Sequence, residues 1–181
     1  MGKNKYSRSF EIALSAISCA VAVVFLLVGL WSNVLLYSGY LLAMIALMVP
    51  LSKQFYWGGA LAYLGTVILA IILGAVVQFW KLVPFIMFMG LHPLANSLQL
   101  KFNINKWLAL AVKTVWFDFT LWVAYLLLFD ISGTDNAVYE FIDRFKYLFI
   151  FIGGTLIFFP YDYLVFKTQI TVNKLVYRIK K

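Results

Sequence analysis

Long apolar runs separated by short polar segments extend along the whole chain. The six runs lie at about 11–31, 34–50, 57–79, 82–99, 107–129 and 145–166. Each is close to the roughly 17–25 residues that an α-helix needs to cross a bilayer. The pattern therefore predicts an all-α polytopic membrane protein, in which residues 1–181 form a single domain with a bundle of six transmembrane helices.

The composition agrees with residence in a lipid bilayer. The chain is 64% hydrophobic and 12% charged, with a mean hydropathy of +0.92, whereas soluble domains carry about 25% charged residues. No polar stretch is long enough for a separate soluble domain, so we expect no attached ATPase or kinase. Cys19 is the single cysteine, which excludes an internal disulfide, and we expect no cofactor.

The placement of charge predicts the topology. If the N-terminus is cytoplasmic, the inner segments carry most of the 15 basic residues: Lys3, Lys5, Arg8, Lys53, Lys101, Lys106, Lys167, Lys174, Arg178, Lys180 and Lys181. The connection between the fifth and sixth runs is acidic, with Asp130, Asp135, Glu140 and Asp143. Because lysine and arginine favour the cytoplasmic side, both termini should be cytoplasmic. We expect the protein in the cell membrane of a bacterium. The net charge of +8 then indicates contact with anionic lipid rather than nucleic acid.

The end of the chain has its own charge pattern. Basic and polar residues recur with 4-3-4-3 spacing at Lys167, Thr171, Lys174, Arg178 and Lys181. This spacing predicts a basic amphipathic C-terminal helix on the inner leaflet. Pro160 should end the spanning helix before it, and Asp162 should favour the N-terminus of the new helix through the helix dipole.

Two stripes of small residues predict close helix contacts. In the third run, small side chains recur every four residues at Gly58, Ala62, Thr66, Ala70 and Gly74. In the first run, the stripe consists of Ala13, Ala16 and Ala20. Helices in lipid associate through such residues because their backbones can approach closely. Each stripe either packs inside the bundle or forms a docking face for another protein.

Polar residues inside the apolar runs are the candidates for function. Asp118 lies at the middle of the fifth run, where an unpaired charge is costly, so it needs a partner from another helix. The only histidine, His92, precedes Pro93, which should kink the fourth helix and turn His92 and Asn96 toward Asp118. Lys113 should instead extend toward the cytoplasmic surface. The alternative is a His92–Asp118 hydrogen bond that only joins two helices.

One face of the fifth helix could hold a ligand. Asp118, Trp122, Tyr125 and Phe129 follow 4-3-4 spacing, which places a carboxylate below aromatic rings. Such a face could bind a flat heteroaromatic or cationic molecule, although tryptophan and tyrosine also gather at membrane interfaces without binding one. The predicted substrate-binding residues are His92, Asn96, Asp118, Trp122 and Tyr125. No metal-ligand set, nucleophile–base pair or phosphate loop is present in the sequence, so we expect neither a metal site nor an enzyme.

The whole chain resembles the substrate-binding S component of an energy-coupling factor (ECF) vitamin transporter. The resemblance lies in the size, the six predicted spans, Ala16-Ile-Ser-Cys-Ala20 in the first span, and LVPFIMFMGL over 82–91. It implies that Ala13, Ala16 and Ala20 dock onto a transmembrane coupling subunit driven by two cytoplasmic ATPases. It also implies a small aromatic, vitamin-like nutrient as substrate.

Two other functions fit the same sequence. A small membrane scaffold or assembly protein would use His92 and Asp118 only to tie helices together. An independent small-solute carrier would use Asp118 as a proton-linked site. Both alternatives share the bilayer as their environment.

Overall fold

The computed structural model describes residues 7–32, 34–75, 79–132 and 144–178. Within these ranges the chain is helical apart from short turns and contains no strand, as the apolar pattern predicts. The helices are α1 Arg8–Trp31, α2 Leu36–Ser52, α3 Tyr56–Ala70, α4 Phe79–Pro84, α5 His92–Phe102, α6 Lys106–Ser132 and α7 Gly154–Arg178. Single π-helical turns follow α3 at Ile71–Ala75 and α4 at Phe85–Met89, and another precedes α7 at Leu148–Gly153.

Four helical segments are long and apolar enough to cross a membrane. These segments are Arg8–Trp31, Tyr56–Gly74, Lys106–Leu127 and Arg144–Val176, and α2 is a shorter apolar helix. They coincide with five of the six apolar runs of the sequence. The remaining run, 82–99, is divided between α4 and α5.

The division of the fourth run occurs just before the proline. The π-helical turn ends at Met89, Gly90 and Leu91 form a turn, and Pro93 then lies in the first turn of α5. Proline is tolerated there because its missing N–H would have had no helical partner. Tyr63 donates a 2.6 Å hydrogen bond from its hydroxyl to the Ile86 carbonyl, so a side chain satisfies backbone in the irregular segment.

The C-terminal part of the chain differs from the prediction. Pro160 does not end a helix: α7 runs through it to Arg178, so the basic C-terminal segment continues the last apolar helix. Asp162, Val165 and Gln169 lie on one face of α7, and all are at least 92% buried. Packing of this face against neighbouring helices stabilises α7 beyond the proline, because tertiary contacts outweigh local helix preferences.

Helix α1 makes close contacts with both α2 and α3. A Cβ atom placed on Gly39 of α2 would lie 2.7 Å from the Phe25 carbonyl oxygen and 2.9 Å from Gly29 Cα of α1. The two backbones are therefore in direct contact, which only glycine permits. Helix α3 also packs against α1, and Gly58, Ala62, Thr66 and Ala70 of its small-residue stripe are buried. The stripe of α3 is internal packing.

The alanine stripe of α1 has a different position. Ala13, Ala16 and Ala20 are all exposed, whereas Ser15, Ser18 and Ala22 on the opposite face are buried. Packing within this chain therefore does not use the alanines. The surface formed by Ala13, Ala16 and Ala20 is called the alanine face below.

Candidate functional site

Four polar side chains from three helices meet inside the bundle. His92 and Asn96 lie one helical turn apart on α5, Lys113 comes from α6, and Asp162 comes from α7. The relative exposures are 0% for His92 and Asn96, 5% for Lys113 and 8% for Asp162. These four residues are called the polar cluster. Its burial within apolar helices makes it the first candidate for a functional site.

Asp162 is the centre of the polar cluster. Its Oδ1 lies 2.5 Å from Lys113 Nζ and 2.9 Å from His92 Nε2. Lys113 Nζ also donates a 3.1 Å hydrogen bond to Asn96 Oδ1. The lysine and the aspartate compensate each other's charge, so neither is buried as an unpaired ion.

Aromatic rings surround the histidine. The Phe88 ring stacks on the His92 ring with 4.9 Å between centroids, and the Tyr161 ring stacks at 5.5 Å. Phe158 is 6.3 Å away in a tilted arrangement. These rings exclude water, which strengthens the ionic contacts of the polar cluster and fixes the orientation of the imidazole.

Two atoms of the polar cluster retain unused hydrogen-bonding capacity. His92 Nδ1 and Asn96 Nδ2 are buried without a partner among the described residues. The amide orientation of Asn96 follows from Lys113, since an ammonium group only donates and must face the amide oxygen. Buried polar atoms are rarely left unpaired in proteins, which distinguishes these two atoms from the rest of the polar cluster.

A cavity of about 400 Å³ lies against the polar cluster between α6 and α7. Lys113 and Asp162 form its polar wall, and the remaining lining consists of Gln99, Lys106, Trp107, Leu110, Phe159, Tyr163 and Phe166. Trp107 and Tyr163 are 68% and 65% exposed, so the cavity opens on the side of the bundle. Gln99 Oε1, which is buried and unpartnered, adds an acceptor. We call this space the α6–α7 cavity.

Asp118 belongs to a separate contact. Its Oδ2 accepts a 3.1 Å hydrogen bond from Thr155 Oγ1, and a Cβ atom on Gly154 would lie 2.9 Å from its Oδ1. The predicted pairing of Asp118 with His92 is therefore wrong, because His92 contacts Asp162 instead. Asp118 joins α6 to the start of α7.

The two aromatic residues predicted to bind substrate, Trp122 and Tyr125, lie on α6 away from the polar cluster. Trp122 is 39% exposed and packs near Phe119 with 6.2 Å between ring centroids. Lys146 Nζ lies 5.8 Å from the centre of the Tyr125 ring. The structure thus divides the five predicted binding residues: His92 and Asn96 enter the polar cluster, while the other three lie elsewhere on α6. Their role in ligand binding stays a prediction.

Sequence reasoning missed Lys113 and Asp162 as members of the site. Lys113 was expected to reach the cytoplasmic surface, but its ammonium group turns into the bundle and binds Asp162. Asp162 was assigned to a helix start after Pro160, where a surface position would be natural. Its apolar neighbours over 155–166 were the available signal, because they continue the helix through the proline.

Comparisons of the chain with protein-family models, with curated proteins and with solved structures find no match. Among the described residues, no group of three or more His, Cys, Asp or Glu side chains is arranged to hold a metal ion. The polar cluster and the α6–α7 cavity therefore have to be interpreted from their own geometry.

Proposed function

We propose that this protein is the membrane-embedded substrate-binding subunit of an ECF-type importer for a small aromatic, vitamin-like nutrient. The observation that supports the proposal is the α6–α7 cavity, in which the Lys113–Asp162 ion pair lies beside aromatic rings. Binding sites for small molecules combine a mostly apolar, aromatic lining with a few convergent polar groups, and they occupy about 300–1,000 Å³.

The proposed topology has six spans, with α4 and α5 together forming the fourth and both termini in the cytoplasm. In this topology Lys113 lies seven residues from the inner end of α6 at Lys106, or about 10 Å along the helix axis. The α6–α7 cavity would then lie in the inner half of the membrane. For import, the nutrient would have to enter the cavity through its lateral opening, where Trp107 and Tyr163 are exposed.

The lining of the cavity favours a particular ligand chemistry. Trp107, Phe159 and Phe166 offer ring faces to a flat molecule, while Lys113 can contact an acidic group and Asp162 can accept from an N–H or O–H. A heteroaromatic compound that carries a carboxylate and a hydrogen-bond donor combines these requirements. The unpartnered Oε1 of Gln99 would accept a second donor.

The partner in this proposal is a transmembrane coupling subunit with two cytoplasmic ATPases. Exposure of the alanine face supports it, since Ala13, Ala16 and Ala20 leave the backbone of α1 open to another helix. A groove of about 570 Å³ between α1 and α3 runs beside this face and includes Ala16 and Ser15 in its lining.

The test is recovery of a bound small molecule. The full-length protein is purified from native membranes, and extracted compounds are identified by mass spectrometry. Trp107→Ala should lower occupancy by about three- to tenfold through lost stacking. Trp31→Ala is the matched control, since Trp31 is 74% exposed on α1 and does not line the cavity. Equal occupancy in both variants, or an empty wild-type protein, would contradict the proposal.

A non-catalytic scaffold is the second candidate function, and the internal pairing of the polar cluster favours it. Lys113, Asp162, His92 and Asn96 already contact one another, so they can hold α5, α6 and α7 together without any ligand. In this case the purified protein would carry no small molecule, and changes in the cluster would affect only stability.

A further inference from the structure

A second cavity, of about 540 Å³, lies where three segments of the bundle meet. The turn between α2 and α3, the end of α5 and the last part of α7 enclose it. Its lining consists of Leu51, Ser52, Gln54, Tyr56, Ser97, Leu100, Lys101, Ile170, Asn173 and Lys174. We call it the basal cavity, because its residues belong to the predicted cytoplasmic side.

The charge of the basal cavity has one sign. Lys101 and Lys174 reach it from two different helices, and its lining contains no carboxylate. Neither Lys101 nor Lys174 forms a salt bridge with a carboxylate among the described residues. Two lysines at one cavity give it a positive potential, which favours an anion as the ligand.

Neutral donors complete the lining. Ser97 is 6% exposed, and its Oγ accepts a 3.4 Å hydrogen bond from Gln169 Nε2, so its own O–H remains available to donate. Asn173 and Tyr56, whose side chains carry an amide and a hydroxyl, also line the cavity. An oxyanion with several acceptor oxygens can use ammonium, hydroxyl and amide donors at once.

The walls of the basal cavity are held in place by contacts outside it. Lys53 Nζ donates a 2.9 Å hydrogen bond to the Val176 carbonyl and so joins the α2–α3 turn to α7. Gln54 adopts a left-handed backbone conformation with φ of 63°, which reverses the chain. Lys101 Nζ lies 4.3 Å from the centre of the Tyr56 ring, a cation–π distance that positions the ammonium group.

We propose that the basal cavity binds a phosphate group, supplied either by the headgroup of an anionic phospholipid or by a soluble phosphate compound. Lys101 and Lys174 neutralise the phosphate charge, and Ser97 donates to one of its oxygens. Leu100 and Ile170 at the same site provide apolar surface beside a lipid headgroup. This site is separate from the α6–α7 cavity and does not depend on the importer function.

The experiment compares two lysines of the same helix. Lys167 and Lys174 are both exposed, and they lie seven residues apart and so nearly on the same face of α7, but only Lys174 lines the basal cavity. Full-length protein in nanodiscs of phosphatidylcholine with phosphatidylglycerol is released into neutral detergent. Retained phosphatidylglycerol is counted by native mass spectrometry. A parallel arm titrates delipidated protein with inorganic phosphate and with glycerol 3-phosphate in a calorimeter.

Lys174→Gln should weaken the bound anion by about tenfold or more, as expected for a lost charge-assisted hydrogen bond. Lys167→Gln should change binding by less than about twofold, because an exposed charge outside the site is screened by salt. Ser97→Ala removes no charge and should still weaken binding measurably. Retention of lipid without binding of soluble phosphate would identify a headgroup site, and saturable phosphate binding would identify a soluble ligand.

Two results would overturn the proposal. One is equal weakening by Lys174→Gln and Lys167→Gln, which would indicate a diffuse attraction to the basic surface. The other is the absence of any retained phosphatidylglycerol and of any heat with either phosphate compound.

Discussion

His92 Nε2 lies 2.9 Å from Asp162 Oδ1, although the two residues are 70 positions apart in the sequence. The same carboxylate oxygen contacts the ammonium group of Lys113, 2.5 Å away. One carboxylate oxygen of α7 therefore contacts side chains of both α5 and α6. The consequences of this contact can be measured.

Removal of the carboxylate should be strongly destabilising. Asp162→Asn leaves the ammonium group of Lys113 buried without a counter-charge, and loss of one partner of a buried pair costs about 3–5 kcal/mol in the free energy of unfolding. Asp118→Asn should cost about 1 kcal/mol, because Asp118 shares only one hydrogen bond with Thr155. Denaturant unfolding in detergent micelles gives both values.

A double variant tests whether the loss of stability comes from the unpaired charge of Lys113. Lys113→Met combined with Asp162→Asn removes both charges and should recover most of the stability that Asp162→Asn alone loses. If the double variant is as unstable as the single one, the Lys113–Asp162 pair is not the source of the loss.

The contact between α1 and α2 should not tolerate a side chain. Gly39→Ala places a methyl group 2.7 Å from the Phe25 carbonyl oxygen, so the helices must separate, at a cost of about 1–3 kcal/mol. Gly153→Ala is the control, because the nearest atom to its added Cβ is the Leu148 carbonyl oxygen, 4.0 Å away. Thermal unfolding in detergent should shift for the first variant only, and equal shifts would argue against the backbone contact.

The proposed topology places the two ends of the last helical segment on opposite sides of the membrane. Asp135→Cys should react with an impermeant reagent added outside, and Lys181→Cys only after the membrane is opened. Both positions lie outside the described residues, and the native Cys19 is replaced by serine in the background. Labelling of both positions from the same side would exclude six spans with cytoplasmic termini.

The alanine face provides a test of the proposed partner. Ala16→Trp with Ala20→Trp should abolish copurification with a coupling subunit, because two indole rings prevent close approach of another helix. Since both alanines are exposed, the fold itself should be unaffected. A matched pair, Val21→Trp with Val28→Trp, changes exposed positions of α1 that lie off the alanine face and outside the α1–α3 groove, and should retain the partner. Copurification of the Ala16/Ala20 variant would mean that this face is not the docking surface.

Local patterns account for most of the helices. Apolar runs long enough to span a bilayer predict α1, α2, α3 and α6 directly, because helix formation in such runs satisfies every backbone group. The end of α7 was predicted wrongly, since Pro160 and the polar residues that follow resemble a helix boundary in isolation. The apolar residues over 155–166 indicate that the helix continues, but they do not show which of its side chains are buried. Val165 and Gln169 are buried against other helices, and this packing holds the segment in one helix.

The candidate site was only partly predictable for a related reason. Helical periodicity correctly places His92 and Asn96 on one face of α5, because residues four apart are neighbours on any helix. It cannot determine which of two carboxylates, Asp118 or Asp162, lies opposite that face. That choice depends on the rotation of α6 and α7 about their axes, which is a property of the whole helix packing, including the close contact of Gly154 with Asp118 and Leu121.

The unbroken course of α7 through Pro160 has a mechanical consequence. Asp162 lines the α6–α7 cavity and Lys174 lines the basal cavity, so one continuous helix contributes to the lining of both. The two residues are about 18 Å apart along the helix axis. Rotation of α7 about its axis would therefore change the lining of both cavities. By thermodynamic reciprocity, a molecule that favours one orientation of α7 in one cavity would change the affinity of the other cavity for its own ligand.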